Sequence, residues 1–281
     1  FSPIDVTLAN KCQFFDPEEP IRYQIYASLR SSLRINHNTR LKGGYALDLK
    51  NSFDSVSAYS DSQLPIVRTD VGRYLREGQS GIHHLYFEQR DHLAPQIHYR
   101  AYAGILENMY SGVGGEVLFQ PHSSRVAVGA SGNWVKKRAY DRKFDHLDLE
   151  THTAFISGYW ATPFYNYDLG VHAGRFLAGD HGAAFELRRS FANGFVVGAF
   201  ATFTDVSAEE YGEGSFDKGL FFKVPFAALF GKNTRGSYST RLRSLQRDGG
   251  QRLENFSGNI WFNLREARYD VFDQYRDRLA P

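Results

Sequence analysis

The sequence predicts an all-β fold: an antiparallel up-and-down transmembrane β-barrel of about 12–14 strands. Three observations point there. Apolar and polar residues alternate with a period of two over many segments. Many of these segments have roughly the 9–11 residues that cross a bilayer as a tilted strand. The longest connections between them fall on one side of the meander.

A strand points successive side chains to opposite faces, so alternation means one apolar and one polar face. The first clear segment sets Ile21, Tyr23, Ile25, Ala27, Leu29 and Leu33 against Arg22, Gln24, Tyr26, Ser28, Arg30 and Arg34. A helix would smear the same residues around its circumference. After the turn-prone Asn36-His37-Asn38, Leu41, Tyr45, Leu47 and Leu49 oppose Arg40, Lys42, Gly44 and Asp48. Ile97, Tyr99, Ala101 and Ala103 then oppose His98, Arg100 and Tyr102, and Tyr167, Leu169 and Val171 oppose Asp168, Gly170 and His172. Phe185 and Leu187 oppose Glu186 and Arg188; Val197, Ala199, Ala201 and Phe203 oppose Gly198, Phe200 and Thr202. Weaker candidates lie near 6–14, 82–90, 111–120, 124–136, 150–160, 218–226, 237–247 and 252–262.

The three longest connections, 51–81, 137–149 and 204–217, share one parity, which places them on the same side, as in barrels with long external loops and short periplasmic turns. The stretch 51–81 reads as a long loop or a segment plugging the lumen. Within it, Val67, Val71, Tyr74 and Leu75 recur at helical spacing and Gly78 can end a short helix over 64–78. Leu264, Ala267, Val271, Tyr275 and Leu279 predict another over 264–279. Residues 1–281 read as a single barrel domain. The chain opens on Phe-Ser-Pro-Ile-Asp, without a basic or apolar leader, as expected of a processed chain or a module of a longer one.

Composition sets the outer bounds. Hydrophobic residues at 42% and aromatics at 15% exclude disorder. No run approaches the roughly 18 apolar residues of a spanning helix, which excludes a helical membrane bundle. A net charge of +2 from mixed signs makes no case for nucleic acid, and one cysteine forms no intrachain disulfide. The polar parity carries long charged side chains suited to a hydrated lumen. Tyr45, Tyr99, Tyr110, Trp134, Tyr159, Trp160, Tyr165 and Tyr167 cluster near strand ends, where an aromatic girdle would sit. A soluble all-β carbohydrate-binding module also alternates, with its apolar face inward, and is the alternative.

Several local motifs carry a resemblance. They are Tyr74-Leu75-Arg76-Glu77-Gly78, His98-Tyr99-Arg100-Ala101-Tyr102-Ala103-Gly104, Gly112-Val113-Gly114-Gly115-Glu116-Val117 and Tyr159-Trp160-Ala161-Thr162-Pro163-Phe164. Further along come Phe185-Glu186-Leu187-Arg188-Arg189, Phe191-Ala192-Asn193-Gly194 and the run from Thr204 to Gly219. Over about 64–226 the chain resembles the C-terminal part of YjbH/GfcD-type proteins of exopolysaccharide and group 4 capsule operons, whose members are more than twice this length. The resemblance implies a place in the bacterial outer membrane, in contact with its lipid, and a part in polysaccharide export beside a periplasmic polysaccharide-export protein. It brings no catalytic residues.

The residues themselves make no case for an enzyme, a cofactor or a metal. His83 and His84 are adjacent, so on a strand they point to opposite faces. No Gly-x-Ser-x-Gly elbow is present. Gly212-Glu213-Gly214 lacks the strand–helix unit of a nucleotide site, and Glu209, Glu210, Glu213 and Asp217 lack EF-hand spacing. An outer-membrane hydrolase acting on polymer or lipid is the third reading. A non-catalytic conduit needs hydroxyl-pairing groups and aromatic faces that bind weakly enough to release. Arg22, Tyr26, Arg30, Arg40, Lys42, His98, Arg100, Tyr102, Glu186 and Arg188 share the polar parity and are the expected polymer contacts, with a cationic excess suited to an anionic chain.

Overall fold

A computed structural model describes residues 4–14, 21–52, 63–207, 216–227, 237–243, 248–254 and 258–274. The alternating segments become thirteen strands: β1 (Asp5–Phe14), β2 (Ile21–Arg34), β3 (Thr39–Asn51), β4 (Gly81–Ala94), β5 (Ile97–Ile105), β6 (Tyr110–Phe119), β7 (Val126–Arg138), β8 (His146–Ala161), β9 (Tyr167–Arg175), β10 (His181–Ser190), β11 (Val196–Thr204), β12 (Asp217–Pro225) and β13 (Ser237–Arg243). They form one antiparallel meander, each strand hydrogen-bonded to its sequence neighbours. Among the described residues β1 and β13 do not pair, so the sheet is curled and open. Thirteen is odd, which makes β1 and β13 run in the same direction, so these two edges cannot join as another antiparallel pair.

The two faces are sorted as the alternation requires, with the apolar one outward. Over β8, exposed and covered residues alternate along nearly the whole strand, and Ile156 stands 69% exposed. Phe87, Val117, Phe119, Val128, Phe185, Leu187, Phe203 and Leu220 are exposed on the same outer face. The inner face buries Gln24, Ser28, Glu88, Arg100, Glu116, Asp168, His172, Glu186 and Thr202.

Five inward aromatic rings share a packing pattern. Each of these lies over a glycine directly opposite on the neighbouring strand: His84 over Gly44, Tyr102 over Gly114, Tyr159 over Gly170, Phe221 over Gly198 and Phe200 over Gly219. A Cβ at Gly198 would come within 2.2 Å of the Phe221 ring, and one at Gly114 within 2.7 Å of Tyr102. The missing side chain opens a slot in which the ring rests against the sheet, a cross-strand pairing that also protects the glycine backbone.

Three expectations need correction. The stretch 252–262 is not a strand: residues 251–254 have no regular structure and α2 (Ile260–Asn263) is helical. Asn259 caps that helix by accepting from the Phe262 amide at 2.9 Å, which competes with sheet pairing. The connection 137–149 shrinks to 139–145, because β7 and β8 extend into it. The two longest connections, 52–80 and 205–216, do share an end, but 226–236 at the opposite end now exceeds 139–145. Third, His83 and His84 do not diverge. Gly44 pairs with His84 and Tyr45 with Ile82, leaving His83 as the extra residue of a bulge. The two Nδ1 atoms therefore lie 3.2 Å apart.

The helix expected over 64–78 is α1 (Val71–Glu77), ended at Gly78, whose amide donates to the Tyr74 carbonyl. Over 264–279 the described part is a 3₁₀ turn (Arg265–Ala267) and α3 (Tyr269–Gln274). Tyr275 and Leu279, and loop residues Glu209, Glu210 and Glu213, lie outside the described residues.

Candidate functional site

The enclosed face of the sheet is the candidate site, and its charges are organised by cross-strand rows. On β4 to β6, Arg90, Arg100 and Glu116 stand opposite one another in register. Arg100 bridges to Glu116 at 2.8 Å and lies 3.9 Å from Glu88, which also takes Lys42 at 2.5 Å and Arg90 at 2.8 Å. One residue pair along, Glu88, Tyr102, Gly114, Asn133 and Thr153 form the neighbouring row. Tyr102 donates to Asn133 at 2.6 Å and Asn133 to Thr153 at 3.0 Å. Buried charges survive only when paired and hydrogen-bonded, and these rows meet that condition.

Two non-strand segments enter the enclosed side. At the end where β5, β7 and β9 finish, residues 66–75 pack against inward residues of β6 and β7. Lys137 holds Asp70 at 2.7 Å and donates to the Ile66 carbonyl, and Tyr110 donates to the Val67 carbonyl. The buried Arg138 guanidinium donates to five carbonyls, of Ile82, Glu107, Asn108, Arg142 and Lys143, and so ties β4 to the 106–109 and 139–145 turns. The second segment, residues 248–254 and 258–268, lies along the interior from that end toward the other. Asp248 accepts from the amides of Val67, Arg68 and Thr69 at 2.7–3.0 Å. Asp180 then takes the Gly250 amide, Glu107 the Glu254 amide and Glu116 the Ile260 amide. Trp261, fully buried, stacks on Tyr159 at 5.4 Å with Arg268 3.9 Å above its other side, and Arg268 bridges to Asp168 at 2.7 Å.

Outside the strands, Arg73 beside Glu77 holds its carboxyl below the usual range, while two other carboxyls are raised. Burial pushes Glu107 up to about 7 against the opposing pull of Arg68, its partner at 2.7 Å. Burial raises Asp180 as well.

Beside the second segment remains a cavity of about 1050 Å³, lined by inward residues of β5 to β13 and by 250–265. Arg100, Tyr102, Glu186 and Arg188 of the expected contacts line it. Tyr26 and Lys42 face inward but lie away from it, enclosed among other residues. His98 is half-buried at the start of β5. Arg30 and Arg40 are exposed, Arg30 donating to Ser28 at 3.1 Å. The side chain of Arg22 lies outside the described residues.

Sequence reasoning missed the acids Glu88 and Glu116, which sit on strands whose parity was too weak to assign. It also missed Asp248, Arg252, Glu254 and Phe262. Their available signals were Gly249-Gly250, a turn, and Asn259 ahead of Ile260-Trp261-Phe262, a helix start. Among the described residues no group of three His, Cys, Asp or Glu is placed to hold a metal ion. Ser157 and His172, both on the cavity wall, lie 2.8 Å apart, and no carboxylate orients the imidazole among the described residues.

Fold and site together define a class: an antiparallel β-meander that turns its apolar face out and encloses a charged, hydrogen-bonding interior. The family model described as Exopolysaccharide biosynthesis protein YbjH matches residues 3–258, well beyond the 64–226 over which the motifs were recognised. The chain is 35% identical over 245 residues to the uncharacterized lipoprotein YjbH of Escherichia coli (strain K12), a match covering 84% of this chain and 35% of that protein. The chain belongs to the YjbH exopolysaccharide biosynthesis family, and it spans about a third of the length of that relative.

Proposed function

We propose that the sheet forms a β-barrel in the bacterial outer membrane, its β1 and β13 edges joined there as a parallel pair, and takes part in exopolysaccharide export as a non-catalytic conduit. One observation carries this reading: the exposed face is apolar over successive strands while the covered face is charged. Large apolar patches in water mark a contact surface, and lipid is the partner that matches a continuous band of outward strand positions. The enclosed side offers what a sugar chain needs, donors and acceptors beside aromatic rings. In this reading 66–75 closes one end, and 248–254 with 258–268 narrows the passage. The lipoprotein relative supports a membrane setting, and the family supports a polysaccharide as cargo, delivered by a periplasmic export protein.

Protein refolded into liposomes should conduct ions, need detergent for extraction and migrate differently in SDS before and after boiling. Full solubility of the refolded chain in plain buffer would decide instead for a soluble carbohydrate-binding module. The Ser157–His172 pair favours a second reading, hydrolysis of polymer or lipid. A fluorophosphonate probe that labels the protein, and fails on Ser157→Ala, would support it; absence of labelling keeps the conduit non-catalytic.

A further inference from the structure

The cavity wall differs in character from strand to strand, and its β10–β13 sector has the features of a binding surface. Arg188, Gly198, Phe221 and Arg241 stand in one cross-strand row, paired in register from β10 to β13. The Phe221 ring rests in the slot over Gly198, with the Arg188 and Arg241 guanidinium groups 5.3 and 5.7 Å from its centre. Arg188 also lies 3.7 Å over the Phe262 ring, and Arg241 lies 4.6 Å over Phe200. Stacking fixes each guanidinium plane without consuming its N–H edge. Among the described residues one carboxylate, Glu186, bridges to both, 3.1 Å from Arg188 and 4.0 Å from Arg241, with Asp217 and Glu254 adding more distant attraction to Arg241. Two cations thus share one bridging anion, and their side chains keep 22% and 40% of their surface exposed. Among the described residues lining the whole cavity, seven Arg or Lys face four Asp or Glu.

We propose that this sector is a subsite for an acidic sugar, with the Arg188 and Arg241 guanidinium groups pairing the carboxylate of a uronic acid residue whose ring lies against the Phe221 wall. The assignment rests on the polysaccharide reading above and names the class of sugar within it. Arginine suits a carboxylate because its planar fork makes two parallel charge-assisted hydrogen bonds. The flat phenyl rings offer an apolar surface to the C–H face of a pyranose and no hydroxyl that would hold it tightly, which matches a polymer that must move on.

The test is binding to the full chain in detergent, read by calorimetry and by Trp fluorescence, with a short oligogalacturonate and a maltodextrin of equal length. Oligogalacturonate should bind more tightly, with an affinity that falls as salt rises, and maltodextrin should be insensitive to salt. Arg188→Gln with Arg241→Gln should weaken oligogalacturonate by about tenfold or more and leave maltodextrin unchanged. Arg241→Gln alone, at a half-exposed position, gives a milder version if the double variant fails to fold. Equal binding of the two sugars, or no binding of either, overturns the subsite. Liposome conductance, measured on the same preparation, reports separately on the conduit: a conducting pore indifferent to uronate would sink only the acidic-sugar assignment.

Discussion

The interiors of two halves of the same sheet are both polar, yet they spend their charges differently. Over β4–β7 the deepest cations have dedicated acceptors, Asp70 for Lys137 and five carbonyls for Arg138, with Arg68 of the 66–75 segment on Glu107, while Glu88 is shared by Lys42, Arg90 and Arg100. Residues 66–75 fill the space that remains, with Val67, Arg68, Asp70, Tyr74 and Leu75 buried. Over β10–β13 the guanidinium groups of Arg188 and Arg241 stack on phenyl rings, share Glu186, and remain 22% and 40% exposed. Polarity alone therefore does not mark a binding surface. A charge buried among protein partners is a strut, and one that keeps part of its surface exposed is available to a ligand.

The largest expected effect breaks the strut side. Lys137→Ala would leave Asp70 buried without its cation and should cost about 3–5 kcal/mol in urea unfolding. Arg241→Ala, on the open side, should change stability by only about 0–1 kcal/mol in the same assay. Similar losses for both would erase the distinction.

The outer face should not tell the halves apart. Ala101→Arg on β5 and Leu187→Arg on β10 should each cost about 2–4 kcal/mol of folding into bilayers, seen as loss of the heat-modifiable gel band. Normal assembly of either variant would mean that its strand does not meet lipid.

The glycine slots test whether ring placement is common to both sides. Gly114→Ala forces a methyl within 2.1 Å of Asn133 Oδ1, and Gly198→Ala within 2.2 Å of Phe221. Each should lower stability by about 1–3 kcal/mol through overpacking. Only Gly198→Ala should also disturb oligogalacturonate binding, since it moves the ring between the two arginines.

The smallest effect is a pH dependence on the filled side. Glu107, ordinarily near 4.5, is raised to about 7 by burial, so the folded state holds its proton more tightly than the unfolded chain. Its stabilising contribution is complete below about 4.5 and is lost as pH rises toward about 7. Thermal unfolding between those limits should show this decline, and Glu107→Gln should flatten it. A slope unchanged by the substitution would assign the titration elsewhere.

Much of the architecture was legible because a two-residue period is a local property. Ile21 to Arg34, Ile97 to Ile105 and Val196 to Thr204 each declare their two faces without reference to any other part of the chain. Four of the expected contacts, Arg100, Tyr102, Glu186 and Arg188, reach the cavity because parity alone sends them inward. The misreadings have equally local causes. His83 and His84 came together because a bulge against Gly44 cancels the alternation, and a bulge is decided by the partner strand. The segment 252–262 resembled a strand, but Asn259 caps a helix there, and the Glu254 and Ile260 amides answer to distant carboxylates, Glu107 in the β5–β6 turn and Glu116 on β6.

By itself, then, the sequence determined which residues share a face, how many strands there are to within one, and that long charged side chains lie opposite an apolar band. Only the tertiary structure decided which of those charges neutralise one another, where the interior is filled and where it stays open. The reason is physical: side-chain parity follows from the geometry of one strand, whereas the partner of a buried charge is set by register across several strands and by a segment arriving from far along the chain.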